Sequence, residues 1–191
     1  MVGKNVDDSL TRDGWLDRLI GSLAQNRPAK AFEKSLELLK DTQQKSTIRR
    51  VMEHWADTEP ESAMAALQEL PDTMRDGHII EALGRGLSDL SLLERLLEQL
   101  PTESDHSAFV NGLSGGLSDS RHEMANVTPE NIEKIRHLVE GLPPGEDRFS
   151  ARWNLAGAWA AMDYDQAKEW YHSQPGVDQR MKDKFVKLNG R

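Results

Sequence analysis

Apolar side chains recur every three or four residues along most of the chain, with polar and charged residues between them. This spacing places the apolar side chains on one face of an α-helix. The first such stretch contains Trp15, Leu16, Leu19, Ile20 and Leu23. Similar stretches follow as far as the C-terminal residues, so the pattern predicts an all-α protein.

One segment, residues 55–63, has two degenerate copies elsewhere in the chain. It reads Trp-Ala-Asp-Thr-Glu-Pro-Glu-Ser-Ala, and the copies begin 32 residues earlier at Leu23 and 104 residues later at Trp159. The segment has the form of a helix end, a tight corner and a second helix start, because Pro60 suits the first helical position. Trp55 and Trp159 occupy equivalent positions, which predicts that both pack in the core. Self-similarity of this length indicates a stacked helical repeat.

The apolar stripes and corners predict an α-solenoid of about five tandem helical hairpins with a C-terminal capping helix. The hairpins are predicted at about residues 11–42, 44–72, 74–102, 105–144 and 147–176, and the terminal helix at 178–189. Residues 1–10 are predicted to be a flexible N-terminus, and residues 11–191 a single domain. Each hairpin has only one apolar stripe, so neighbouring hairpins have to stack. Close stacking is favoured by glycines in the first helices, namely Gly84, Gly86, Gly112, Gly115, Gly116 and Gly157.

Individual side chains predict where two helices start and which face of the terminal helix packs. Asp89 and Thr128 precede apolar stretches and are predicted N-caps, since their side-chain oxygens can accept from the free N–H groups of a first turn. In the terminal helix, Met181, Phe185 and Leu188 fall on one face. We expect this face to cover the open end of the fifth hairpin, because solenoid ends need caps.

The repeated unit resembles tetratricopeptide-like helical-hairpin repeats. It is more similar still to the degenerate bacterial repeats of the form Trp-Ala-x-x-Asp-Pro-x-x-Ala … Leu-Pro. The matching positions are Trp55, Ala56, Pro60, Ala63, Leu70, Pro71, Trp159, Ala160, Asp163, Ala167 and Pro175. Periods of 30 to 32 residues and one inserted loop depart from the regular period of about 34 in tetratricopeptides. The resemblance implies an α-solenoid that serves as a protein-binding scaffold.

Composition and charge exclude several kinds of site and disfavour two classes of partner. The chain has no cysteine, which excludes disulfides, thiolate metal sites and cysteine nucleophiles. Its formal net charge of −8 argues against nonspecific binding to nucleic acid or to anionic membranes. A basic segment followed by an apolar core is absent near the N-terminus, and so is an apolar run of membrane-spanning length. These observations predict a cytoplasmic protein.

Motifs for catalysis are incomplete. Residues 112–116, Gly-Leu-Ser-Gly-Gly, match the letters of a nucleophile elbow around Ser114, but that motif works between a strand and a helix. His122-Glu123 resembles the start of a zinc-protease helix, yet Asn126 stands where the second histidine is needed. The prediction is therefore no enzyme activity, no metal and no cofactor, with a serine hydrolase that uses Ser114 as the remaining enzymatic alternative.

An inserted stretch, residues 120–131, breaks the repeat. It is either a surface insertion that the fold tolerates, since long loops add little closure entropy, or the partner-binding segment, since insertions in repeats form loops that often bind. The predicted contacts there are Arg121, His122, Glu123, Met124 and Asn126. Polar positions on the first helices extend this predicted surface, namely Arg49, His78, Arg85 and Arg152. The predicted partner is another protein. An alternative is that the acidic chain inhibits another protein by occupying its nucleic-acid site.

Overall fold

A computed structural model describes residues 8–118 and 127–190 of the 191-residue chain. Every regular element in these two ranges is helical, which confirms the predicted all-α class. The helices are α1 (Asp8–Ala24), α2 (Pro28–Leu38), α3 (Asp41–Thr58), α4 (Pro60–Glu69), α5 (Gly77–Gly86), α6 (Leu93–Leu97), α7 (Glu103–Ser118), α8 (Pro129–Gly141), α9 (Glu146–Ala160), α10 (Tyr164–Ser173) and α11 (Gln179–Asn189).

The first helix corrects the predicted N-terminal boundary. Residues 8–10, expected to be flexible, belong to α1, while residues 1–7 lie outside the described residues. The segment after Asp89 also differs from the expectation of one regular helix. It begins as a 3₁₀ turn, Leu90–Leu92, and continues as the short helix α6.

Helix starts follow the predicted capping chemistry. The Asp89 carboxylate accepts from the Ser91 N–H at 2.9 Å, and the Thr128 hydroxyl oxygen accepts from the Asn131 N–H at 3.2 Å. Both predicted N-caps are therefore confirmed. Proline occupies the first position of α2, α4 and α8, where its missing N–H leaves no intrahelical bond unmade.

The odd-numbered helices form the centre of the packing. Helices α1, α3, α5, α7 and α9 contact one another in this order, and α2, α4, α8 and α10 each contact the odd-numbered helix that precedes them. Helix α11 lies against α9 and α10. No helix in residues 8–118 and 127–190 is both long and apolar enough to cross a bilayer.

Glycines let the backbones of α5 and α7 come into direct contact. A Cβ atom on Gly84 would lie 2.1 Å from the carbonyl oxygen of Phe109, and one on Gly112 would lie 1.9 Å from that of Glu81. Gly86 makes a similar approach to the Glu53 carbonyl oxygen of α3. Any larger residue would separate these helices, so the predicted role of glycine in close stacking is confirmed here.

The other glycines are less closely packed. Gly116 approaches the Arg85 backbone, but a Cβ on Gly115 would meet only side-chain atoms at 3.4 Å or more, and one on Gly157 would meet a single atom at 4.0 Å. The prediction of close packing is wrong for Gly115 and Gly157. Their side of the helix faces polar side chains of neighbouring helices instead of backbone.

The two tryptophans that were predicted to pack in the core differ in burial. Trp55 is 6% exposed and its ring centroid lies 5.7 Å from that of Phe32. Trp159 lies against Trp170 at 5.8 Å and packs against the core, but it is only partly buried, so it is less enclosed than Trp55. The two positions differ in their neighbours. Trp159 lies in the last turn of α9, and only α10 and α11 follow α9 among the described helices.

Helix α11 is held by one residue of its predicted apolar face. Phe185 is fully buried and stacks on Tyr171 at a centroid distance of 4.9 Å. Leu188 is 54% exposed, so its predicted contribution to this face is wrong. Residues 185 and 188 lie only about 60° apart around the helix, so their different burial reflects how little of α11 its contacts with α9 and α10 cover.

Candidate functional site

A cleft of about 790 Å³ opens beside helices α5, α7, α9, α10 and α11. Its volume lies within the range of about 300–1,000 Å³ that ligand sites in proteins occupy. The cleft follows from the stacking of the helices. Helix α5 packs against α7, α7 packs against α9, and α11 packs against α9 and α10. Its lining combines aromatic, amide and charged side chains, which is the mixture expected of a binding site.

Two polar atoms in the cleft lining have no hydrogen-bond partner among the described residues. They are the side-chain oxygen Oδ1 of Asn111 on α7 and the hydroxyl of Tyr171 on α10, and both atoms are buried. Tyr171 is fully buried as a residue. Leaving a buried polar atom unpaired costs roughly 1–3 kcal/mol. Among the described residues the same holds for five atoms outside the cleft lining: Trp55 Nε1, Asp105 Oδ2, Arg148 Nε, Arg152 Nε and His172 Nε2.

An aromatic wall borders these polar atoms. The Trp153 ring lies edge-on to the Tyr171 ring at 5.6 Å, and Phe149, 39% exposed, stands one helical turn earlier on α9. The ammonium nitrogen of Lys184 lies 5.1 Å from the Trp153 ring centroid, within cation–π range. The wall therefore offers apolar surface and already attracts one cation.

Charge in the cleft is predominantly negative. Four carboxylates line it, those of Glu81, Glu146, Asp147 and Asp178, against two permanent cations, Arg180 and Lys184. The Glu81 carboxylate accepts from the Arg85 guanidinium at 2.7 Å. No described cation lies within ion-pair distance of the other three carboxylates.

The negative potential reaches the base of the cleft. Burial raises the pKa of the Tyr171 hydroxyl, and the charge of Asp178 raises it further. The hydroxyl is therefore neutral at physiological pH and can both donate and accept a hydrogen bond. Next to it in sequence, burial lowers the pKa of His172, with Lys182 and Lys168 adding to the effect.

The predicted site residues are distributed over separate places. His78 is exposed and lines the cleft, and Arg85 lies beside it through its bond to Glu81. Arg49 is exposed on α3 and is not part of the cleft lining. Five further predicted contacts lie outside the described residues: Arg121, His122, Glu123, Met124 and Asn126.

The prediction that Arg152 is an exposed partner contact is wrong. It is only 6% exposed, and its guanidinium donates to the Pro175 carbonyl oxygen at 3.2 Å. Burial lowers its pKa, and repulsion from Arg148 acts in the same direction. The helical period puts Arg152 on the side of α9 that faces the loop after α10, so it holds that loop instead of facing a partner.

The serine motif can be placed in the structure, whereas the His122-Glu123 motif lies outside the described residues. Ser114 is fully buried inside helix α7, and its hydroxyl donates to the Val110 carbonyl oxygen at 2.9 Å. A nucleophile elbow needs a strand before the serine, whereas a helix stands here. Among residues 8–118 and 127–190, no group of three histidine or acidic side chains is arranged to hold a metal ion.

Most of the cleft lining was not predicted from the sequence, including Asn111, Asn154, Tyr171 and Phe149. One signal was available for Asn111. It lies 30 residues after Glu81, and the tetrapeptide Gly-Leu-Ser-Asp recurs at the same offset, at residues 86–89 and 116–119. Both side chains therefore occupy one row on stacked helices. The contribution of Tyr171 depends on where α10 and α11 lie, which no local pattern specifies.

Comparison of the chain with models of protein families, with curated proteins and with solved structures gives no match.

Proposed function

We propose that the protein is a noncatalytic interaction scaffold of the α-solenoid type, which binds another protein in the cleft beside α5, α7, α9 and α11. The observation that carries the proposal is the cleft of about 790 Å³ itself, whose lining combines the aromatic side chains of Phe149 and Trp153 with amide and charged side chains. Binding sites in proteins share this mixture of apolar surface and a few polar groups.

The stacking of the odd-numbered helices supports the α-solenoid architecture. Each of these helices contacts the next, so successive pairs add to one continuous face. A row of polar side chains follows this face from Glu81 on α5 through Asn111 on α7 to Asn154 on α9. A row of amides and carboxylates along stacked helices suits the repeating N–H and C=O groups of an extended peptide.

The test is capture of partners from native lysate by the wild-type protein and by a double variant, Asn111→Ala with Asn154→Ala. We expect the wild type to retain at least one protein that the double variant loses. The matched control is Asn26→Ala, which removes an exposed amide from the turn between α1 and α2. Equal capture by all three proteins would contradict the proposal, provided circular dichroism shows that the variants are folded.

A further inference from the structure

Helix α11 forms one wall of the cleft but is held by a narrow contact. Three of its side chains line the cleft: Arg180, Met181 and Lys184. Phe185 is the one residue of α11 that is buried, and its ring packs 6.0 Å from Trp153 of α9 and 4.9 Å from Tyr171 of α10. A helix with a single buried anchor can leave its neighbours while the rest of the fold stays intact.

The loop before α11 contains a hinge. The Arg152 guanidinium donates to the Pro175 carbonyl oxygen at 3.2 Å, so the loop is fixed to α9 at this residue. Gly176 follows with a φ of 86°, a conformation that favours glycine, and a Cβ at this position would meet nothing within 4 Å. Rotation about Gly176 can therefore move α11 while Pro175 stays in place.

His172 lies at the edge of the anchoring contact. Its ring centroid is 6.2 Å from that of Phe185, and its nitrogen Nε2 is buried with no hydrogen-bond partner among the described residues. A neutral imidazole can leave this nitrogen without a proton, whereas an imidazolium carries an N–H on both ring nitrogens. Protonation therefore places an unpaired N–H and a positive charge between α10 and α11.

The charges that face His172 oppose this proton. Burial lowers the pKa of the imidazole, and Lys182 of α11 and Lys168 of α10 lower it further. A hydrogen bond with the Lys182 backbone and the charge of Asp183 on α11 act in the opposite direction without outweighing them. Helix α9 adds no described charged group that acts on the ring. The docked position of α11 thus favours the neutral imidazole.

Protonation also weakens the attraction between the two helices. Helix α11 carries four basic side chains and one acidic side chain, whereas α10 carries one basic and two acidic side chains. With a neutral His172, the net charges of the two helices are therefore opposite in sign. An imidazolium at position 172 removes the net negative charge of α10 and with it this attraction.

We propose that α11 is a pH-released wall of the cleft: protonation of His172 detaches α11 from α9 and α10 and opens the cleft on that side. The released state leaves the imidazole in water and binds the proton more tightly than the docked state does. Release therefore becomes more favourable as the pH falls below about 6.5, the ordinary pKa of histidine. The inference concerns the free protein and does not depend on the partner proposed above.

The first test is amide hydrogen exchange of the free protein between pH 7.5 and 5.0, expressed as protection factors so that the intrinsic effect of pH is removed. We expect the protection of α11 to fall by about threefold or more relative to that of α7. The fall should begin near pH 6.5. A constant ratio of protection between α11 and α7 overturns the proposal, because it shows that α11 is not released locally.

Substitutions assign the effect to one imidazole. His172→Asn and His172→Gln keep a polar side chain that does not titrate, and both should hold the protection of α11 constant over this pH range. The matched control is His137→Asn, which removes an exposed imidazole from α8 and should keep the wild-type fall. A fall that persists in a folded His172 variant, or that disappears in the control, overturns the proposal.

A distance measurement on a protein with His172 intact tests the movement without either of these variants. The chain has no cysteine, so spin labels can be placed at Leu188→Cys on α11 and Glu69→Cys on α4, both exposed positions. Electron–electron double resonance should show an additional distance population at pH 5.0 compared with pH 7.5. A control pair, Glu69→Cys with Glu130→Cys on α8, should give one distribution at both pH values. An unchanged distribution for the first pair overturns the release of α11.

Discussion

Replacing Gly112 with alanine tests the stacking on which the cleft depends. The new Cβ would lie 1.9 Å from the Glu81 carbonyl oxygen, whereas an ordinary carbon–oxygen contact is about 3.3 Å. The backbones of α5 and α7 therefore have to separate by roughly 1 Å. Overpacking of this kind costs about 1–3 kcal/mol and occasionally more, and alanine recovers only about 1 kcal/mol of helix propensity. We expect Gly112→Ala to lower the free energy of unfolding by up to about 2 kcal/mol net.

Gly115, one turn further along α7, provides the matched control. A Cβ there would meet only the Arg85 and Asn154 side chains, at 3.4–3.5 Å. Gly115→Ala should therefore leave the free energy of unfolding unchanged or raise it by up to about 1 kcal/mol through helix propensity. The assay is urea unfolding followed by far-ultraviolet circular dichroism. Equal effects of the two substitutions would refute the direct backbone contact between α5 and α7.

The remaining predictions concern the core and its pH dependence. Trp55→Ala should cost about 3–5 kcal/mol of unfolding free energy in urea titrations, and Trp159→Ala clearly less, because Trp159 is partly exposed. Phe185→Ala should lower the melting temperature strongly, whereas Leu188→Ala should change it little, since Leu188 is 54% exposed. The pKa of His172 is lowered by burial, so unfolding free energy should fall as pH decreases below about 6.5, and His172→Asn should flatten that slope.

The sign of the pH effect follows from proton binding. The unfolded chain protonates His172 at its ordinary pKa of 6.5, whereas the folded protein protonates it only at lower pH. The unfolded state therefore binds more protons in this window, and stability is lost as pH falls. An unchanged slope in His172→Asn would contradict this assignment. Equal costs for the two tryptophans, or for Phe185 and Leu188, would contradict the burial described for each pair.

Helix content, caps and glycine contacts were predictable because each depends on local chemistry. Apolar period alone placed the helices, and the Asp89 and Thr128 side chains marked two helix starts. Orientation around a helix was less predictable. For Arg152 and Leu188 the pattern of polar and apolar residues predicts the wrong exposure, because the burial of each side chain depends on where the neighbouring helices and loops lie.

The cleft was predictable only in part. Glu81 and Asn111 share a repeat position, so a polar row across α5 and α7 follows from the sequence period. Asp147, Tyr171 and Asp178 come together through the placement of α9, α10 and α11, which depends on aromatic packing around Phe185 rather than on any spacing in the chain. The predicted binding residues 121–124 and 126 lie outside the described residues and stay a prediction.

Site-specific photocrosslinking tests the scaffold function most directly. A benzophenone amino acid at Phe149, inside the cleft and 39% exposed, is compared with the same group at Leu38, which is 40% exposed on α2 and outside the cleft. In native lysate, we expect a crosslinked protein partner at position 149 that disappears when Asn111 is alanine, and none of that species at position 38. Identical crosslinked species at both positions, or a species at position 149 that persists with alanine at position 111, would contradict a partner bound in the cleft.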